Sequence, residues 1–344
     1  MIVVFVMAAV LWGIGATMNT PYQARWIMIG LLYVAVLAIQ VALPDGHPLR
    51  EGTGAEPAFW LLIGALGVLV FGYRKLLMSI RARTNPVAFD PPKREDTFAE
   101  VELERAARHI VLREIGGLGQ KRLKESKVLV VGAGGLGAPA LMYLGAAGVG
   151  MLGVIDDDSV ENTNLQRQII HRDTNIGMPK VFSAEAALKA QNPFLEGKTY
   201  HRKLTEDVAE ELFAEYDLIL DGTDGFETRA MVNKAAVASA RPLVWAAITQ
   251  WEGQIGVYDP CVEGPCYACT YPDAPAPGLS ATCAEAGVLG PLPGVMGSMM
   301  AVEAIKVLTG AGEPLSSDML VYDALYGETR KIRLKRRSDC SVCG

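Results

Sequence analysis

Cysteine is missing from the first 260 residues of this 344-residue chain, charge is missing from its first stretch, and no internal repeat runs through it. Without a repeat the chain is no solenoid or propeller. Ile2 to Met18 contains no charged residue, yet it lacks the basic start and small-residue cleavage site of a signal peptide. The net charge is −6, and the basic run Lys331 to Arg337 reads as a solvated strand edge. Nothing resembles a nucleic-acid module, so no nucleic-acid partner is expected.

What the front of the chain does have is apolar length. Trp26 to Leu43 is interrupted by only one strongly polar residue, Gln40, and Ala58 to Tyr73 is apolar and continues through Leu76 to Ile80 after Arg74 and Lys75. Runs of about 17 to 20 such residues span a hydrocarbon core of about 30 Å. Core helices of a soluble domain would show a polar face, and these do not. Residues 1–80 are therefore expected to form three transmembrane helices. The connection Pro44 to Pro57 carries Asp45, Glu51 and Glu56 against Arg50, whereas Arg74, Lys75, Arg81 and Arg83 follow the third span and Arg25 lies between the first two. The positive-inside rule then turns the N-terminus outward and puts the rest of the chain in the cytosol, on a multi-pass protein of the inner membrane. Residues 81–98, with the Pro-rich charged stretch NPVAFDPPKRED, read as a linker, and 99–344 as one α/β domain.

Inside that domain, Val128 to Asp158 reads as a buried strand, a glycine-rich turn, a helix and a second strand ending on acids. Gly132, Gly134, Gly135 and Gly137 permit a tight turn, close approach of a phosphate to backbone amides and close helix packing. This βαβ unit predicts a nucleotide and nothing finer, because several enzyme classes use it. Further on, NLQRQ (Asn164 to Gln168), GMPK (Gly177 to Lys180) and LILDGTD (Leu218 to Asp224) each set charge past a strand or at a helix start. They bring Arg167, Lys180 and Asp224 to one crevice. A dehydrogenase needs two phosphates neutralised and a flat nicotinamide pocket; two cations with a carboxylate suited to magnesium point to a triphosphate undergoing substitution at phosphorus.

The six cysteines all lie late, and four form two C-x-x-C pairs, Cys266 with Cys269 and Cys340 with Cys343. Two such pairs make either a closed four-thiolate zinc site or disulfides, and a domain that binds ATP in the reducing cytosol favours zinc. The site would staple the last residues to the loop after GQIGVYD. Cys261 has no such partner and reads as structural.

From about Val101 to Gly344 this ordered series of motifs resembles the ThiF/MoeB/HesA family, bacterial relatives of ubiquitin-activating enzymes, with most likeness to the molybdopterin-synthase adenylyltransferase branch. The resemblance implies a doubly wound Rossmann-like, mostly parallel α/β sheet with a zinc-stapled C-terminal part, here preceded by an all-α transmembrane region. It implies ATP-dependent adenylation of the C-terminal glycine of a small ubiquitin-fold sulfur carrier ending in Gly-Gly, in a homodimer. Asp156 would take the ribose hydroxyls, Arg167 and Lys180 the phosphates, with Asn164 beside them, and Asp224 magnesium. Arg108 matches an arginine finger that reaches the partner subunit's site, although the residues before it are Ala106 and Ala107 and not the usual aromatic and Asn. Gly225 stands where Asn commonly follows the magnesium-binding Asp. Cys283, in ATCAEAGVLGP, stands at the position of a candidate sulfur-accepting or thioester cysteine. No rhodanese-like stretch follows the second cysteine pair, so a separate persulfide donor is expected. The rivals are a tRNA-modification dehydratase or peptide-activating enzyme of the same fold, a dehydrogenase, and a membrane-anchored binding module without catalysis.

Overall fold

The computed structural model describes residues 2–18, 20, 22–54, 56–84, 98–262, 264–274 and 287–344. The chain divides into two compact units, Met1–Phe89 and Asp90–Gly344.

The first unit is helical: α1 (Ile2–Thr17), α2 (Tyr22–Ala42), the short α3 (Pro48–Thr53) and α4 (Pro57–Thr84). Its small core is Val4, Val36 and Trp60, and the Tyr33 hydroxyl donates to the Trp60 carbonyl at 2.6 Å. Gly64 lets that ring cross closely, since a Cβ there would lie 2.2 Å from the Tyr33 oxygen. Buried Gln40, the one strongly polar residue of the apolar run Trp26 to Leu43, has its Nε2 bonded to Arg50 O, Thr53 Oγ1 and Gly54 O, so α3 clasps the end of α2. Most large apolar side chains, among them Leu31, Val34, Leu62, Leu66 and Val68, point outward. At 16 residues α1 is the short member, about 24 Å at 1.5 Å per residue.

The second unit is built on an eight-stranded sheet of order β3-β2-β1-β4-β5-β6-β7-β8. These strands are β1 (Lys127–Val131), β2 (Met151–Ile155), β3 (Glu196–Tyr200), β4 (Leu218–Asp221), β5 (Leu243–Thr249), β6 (Glu252–Tyr258), β7 (Asp318–Asp323) and β8 (Glu328–Arg333). β3 through β5 of that order run parallel, and β5 through β8 continue as an antiparallel meander. The helices of this unit are α5 (Glu100–Ile110), α6 (Gly116–Glu125), α7 (Gly137–Ala147), α8 (Lys180–Gln191), α9 (Glu206–Ala214), α10 (Phe226–Ala238), the short α11 (Tyr267–Thr270) and α12 (Pro291–Thr309). Strand residues alternate between two cores. Val128, Val130, Leu218, Leu220 and Val244 pack under α7, α8 and α12. Leu129, Val131, Ile219, Leu243 and Trp245 pack against α9, α10 and the cysteine loops. Burial on both faces explains the near-continuous apolar runs.

One helix corrects a sequence argument. α12 is long and apolar enough by composition to cross a membrane, yet half of it is buried in this unit, against α7, β5 and β6. An apolar circumference therefore does not by itself separate a span from a core helix; here the sheet and α7 cover what lipid would otherwise cover.

Candidate nucleotide site

The chain leaves β1 toward β2 and β3 on one side and returns to β4 on the other, so β1 and β4 pair in parallel at the point where the strand order reverses, and a crevice opens beyond their C-terminal ends. Ligands of open α/β sheets bind at this switch point. A pocket of about 320 Å³ lies there, lined by Gly132, Gly134, Gly135, Asp156, Asp157, Asp158, Arg167, Gln168, Lys180, Arg202, Lys203, Thr223 and Asp224 among others.

The glycine turn is as tight as the motif requires. Gly132 has φ +92°, and a Cβ on Gly137 would lie 1.9 Å from the Gly132 carbonyl oxygen. Gly137 thus belongs to the interior of the turn and not to the pocket lining, while Gly134 and Gly135 face the pocket. α7 starts at Gly137, so its unpaired N-terminal amides and positive dipole end serve the same space.

The predicted charges are brought together with different partners. Asp156 takes two backbone amides on its carboxylate, Ala133 N on Oδ2 and Asp158 N on Oδ1, each at 2.8 Å. Its first structural act is to hold the glycine turn; the remaining lone pairs are what a ribose could use. Burial pushes its carboxyl above the ordinary range, with nearby Lys180 opposing. Lys180, buried to 5% side-chain exposure, bonds the exposed Asp158 at 2.7 Å. Arg167 donates from Nη2 to Asn164 Oδ1 at 2.8 Å, so Asn164 positions Arg167 from outside the lining residues. Asp224 is exposed on the turn after β4. That turn is braced by buried Asp221, whose Oδ1 accepts from Thr223 N at 3.0 Å and Thr223 Oγ1 at 2.7 Å, and by Arg229, which donates to Thr223 O at 2.6 Å. Burial drives the Asp221 carboxyl up, and Arg229 pulls against it.

Arg108 does not line this pocket. It is exposed on α5, beside a second cavity of about 450 Å³ with Arg105, His109, Tyr143 and Val302. Cys283 lies outside the described residues. The four C-x-x-C cysteines converge: all are free and buried, their Sγ atoms lie within 4.8 Å of one another, and the Cys266–Cys340 and Cys269–Cys343 separations are 3.7 and 3.4 Å. Asn233, buried on α10, donates to Cys266 Sγ at 3.6 Å and accepts from Tyr267 N at 2.9 Å. The pairs come from the loop after β6 and the segment after β8, so they staple the chain end to the sheet.

Sequence reasoning missed Arg202 and Lys203, which follow β3, and His171, which is buried behind the glycine turn. No motif marks the first two; they arrive because β3 pairs with β2 and the Tyr200 carbonyl accepts from Asp156 N at 3.2 Å. His171 stood in plain view three residues beyond NLQRQ, but only the fold shows what it touches. Its Nε2 meets the Ala133 carbonyl and its Nδ1 the Ser183 hydroxyl, both at 2.9 Å. Burial lowers its pKa from the ordinary value.

Among the described residues, no cysteine, histidine, serine or tyrosine lines the pocket; four cations face four carboxylates around backbone amides. Such a site has the cations and backbone amides to hold a polyphosphate and to offset charge in substitution at phosphorus. Fold and pocket thus define a nucleotide-handling protein of the doubly wound class.

The chain belongs to the ThiF family, whose model matches residues 106–342. It is 48% identical over 251 residues to a Thermus thermophilus protein named sulfur carrier protein adenylyltransferase, covering 72% of this chain and 93% of that one. It is 44% identical over 243 residues to the SAMP-activating enzyme E1 of Haloferax volcanii, covering 71% and 89%. With the probable adenylyltransferase/sulfurtransferase MoeZ of Mycobacterium tuberculosis it shares 47% over 238 residues, 68% of this chain and 61% of that protein. Of solved structures, E. coli MccB with MccA-N7isoASN is similar with TM-score 0.63 at 23% identity over 73% of this chain and 76% of that one. PaaA is similar with TM-score 0.61 at 21% identity over 89% and 90%. At those identities the two structures bear on the fold.

Proposed function

We infer that this protein adenylates the C-terminal glycine carboxylate of a small ubiquitin-like sulfur carrier with ATP. The observation that carries this reading is the meeting of the glycine-turn amides, Lys180, Arg167 and Asp224 in one switch-point pocket. The 48% identity to the Thermus sulfur carrier protein adenylyltransferase supports the choice of substrate. A carboxylate oxygen of the carrier attacks the α-phosphorus in line, the bond to the bridging oxygen breaks, and pyrophosphate leaves as the acyl adenylate forms. The carboxylate is already ionised, so no side chain has to take a proton. Gly134 and Gly135 amides, Lys180 and Arg167 hold the phosphates and offset the charge that develops, and Asp224 would hold magnesium, which supplies further neutralisation. Sulfur in this reading comes from a separate persulfide donor. Pyrophosphate exchange with candidate carriers ending in Gly-Gly tests the reading: exchange that depends on the carrier supports it, and exchange with none of them overturns it.

The four convergent thiols fit a tetrahedral zinc ion with a structural role, since four-thiolate sites leave no open position for substrate.

Arg108 acts in this reading on the partner's site in a homodimer, which agrees with its exposure away from its own chain's pocket. Coexpressed Arg108→Ala and Asp224→Asn chains should then recover part of the exchange activity that neither has alone. One of the two sites in the mixed dimer keeps both an aspartate and a neighbour's arginine. Absence of recovery in isolated mixed dimers would count against action in trans.

The outward apolar faces of α2 and α4 support a lipid-facing first unit, with the catalytic unit on the cytosolic side. Expressed protein should sediment with membranes and resist carbonate extraction, and removal of residues 1–80 should release it. A full-length chain that stays soluble without detergent would contradict this placement.

A further inference from the structure

Several contacts behind the nucleotide pocket form one closed circuit. Ala133 is gripped on both sides: its N–H by Asp156 Oδ2 at 2.8 Å and its carbonyl by His171 Nε2 at 2.9 Å. Asp156 Oδ1 accepts from Asp158 N at 2.8 Å, and Asp158 Oδ2 holds Lys180 Nζ at 2.7 Å. Lys180 opens α8, and three residues on along that helix Ser183 meets His171 Nδ1 at 2.9 Å. His171 and Ser183 are 6% and 2% exposed, so solvent cannot substitute for either bond.

The circuit fixes protons as well as positions. A carbonyl oxygen only accepts, so His171 Nε2 carries the hydrogen; in the neutral ring Nδ1 then accepts from the Ser183 hydroxyl. The Ala133 carbonyl shares its peptide plane with the Gly134 amide, and in a trans peptide the two point in opposite directions. Tying the carbonyl to the buried imidazole therefore aims the Gly134 N–H away from it, on the side where Gly134 lines the pocket. The ring's other nitrogen sets α8, and with it Lys180.

We propose that His171 is a positioning residue for nucleotide binding: with Ser183 it locks the phosphate-facing amide of the glycine turn and the lysine that opens α8 into one preset geometry. The proposal rests on the nucleotide-site reading above and deepens it. His171 makes no contact with the substrate in this account and acts through Gly134 and Lys180.

The test measures Mg-ATP affinity of the full-length protein by calorimetry, together with carrier-dependent pyrophosphate exchange. His171→Ala and Ser183→Ala should each weaken ATP binding, by about tenfold to a hundredfold for the histidine, the range for residues that orient a binding group from behind. Because both break the same circuit, the double variant should lose little more than His171→Ala alone. His171→Gln, which keeps one donor and one acceptor, should recover part of the affinity. Leu188→Ala supplies the structural comparison, since Leu188 is a core residue of the same helix with no place in the circuit. It should lower the melting temperature while leaving ATP affinity near wild type. Unchanged ATP affinity in His171→Ala, additive losses in the double variant, or an equal loss in Leu188→Ala would overturn the proposal. If His171→Ala does not fold, Ser183→Ala and His171→Gln against Leu188→Ala decide. Wild-type protein that binds ATP but shows no exchange with any carrier would remove the carrier reading and leave this test valid; wild-type protein that binds no ATP removes both.

Discussion

Asp224→Asn and Arg167→Ala are each expected to cut carrier-dependent pyrophosphate exchange by at least about a hundredfold, the scale for removing one preorganised electrostatic contact to a reacting phosphate or oxyanion. Asp224 is exposed on a turn already braced by Asp221 and Arg229, and asparagine keeps its shape while removing its charge. The turn therefore has no reason to rearrange, and the melting temperature should stay near wild type. Arg167 is half-buried, with its guanidinium aligned by Asn164 Oδ1. Alanine removes the cation and leaves Asn164 beside the open pocket, where water can solvate it. Full exchange in either variant would take this pocket out of the reaction.

The second large effect concerns the cysteines. One tightly held zinc per chain is expected, lost in Cys266→Ser or Cys343→Ser with a marked fall in thermal stability. The thiols are part of the core that holds Phe213, Trp245 and Tyr267, so the metal cross-links a folded interior and not a surface loop. Binding that exists only in the folded state adds directly to folding free energy, on the order of 10 kcal/mol in small four-ligand zinc domains. Serine keeps the size but is a poor zinc ligand at neutral pH, and it leaves three buried thiols around a hydroxyl. Metal analysis with thermal melts decides the matter: zinc-free wild-type protein carrying a disulfide between these cysteines would overturn the assignment.

Local pattern was enough to read some of this molecule. The spacing of Gly132, Gly134 and Gly137 predicts a tight turn, and the positive φ of Gly132 and the clash a Cβ on Gly137 would make bear that out, while Gly134 has room for a side chain. Each C-x-x-C pair sets two thiols within reach of one ion because they are so close in sequence, whereas the meeting of the two pairs, with partners 74 residues apart, belongs to the fold. Other features depended on which strand lies beside which. Arg202 and Lys203 carry no motif and reach the pocket only because β3 pairs with β2, and His171 gains its meaning from the Ala133 carbonyl 38 residues earlier in the chain. The antiparallel meander and the burial of α12 were equally hidden, since an apolar helix has the same composition whether its cover is lipid or a sheet. The sequence by itself determined the glycine turn, the family and the charges that line the pocket, because each is a matter of residue type at short spacing. Only the tertiary structure decided how those charges are held, because hydrogen bonds between distant segments exist once the sheet order has brought their ends together.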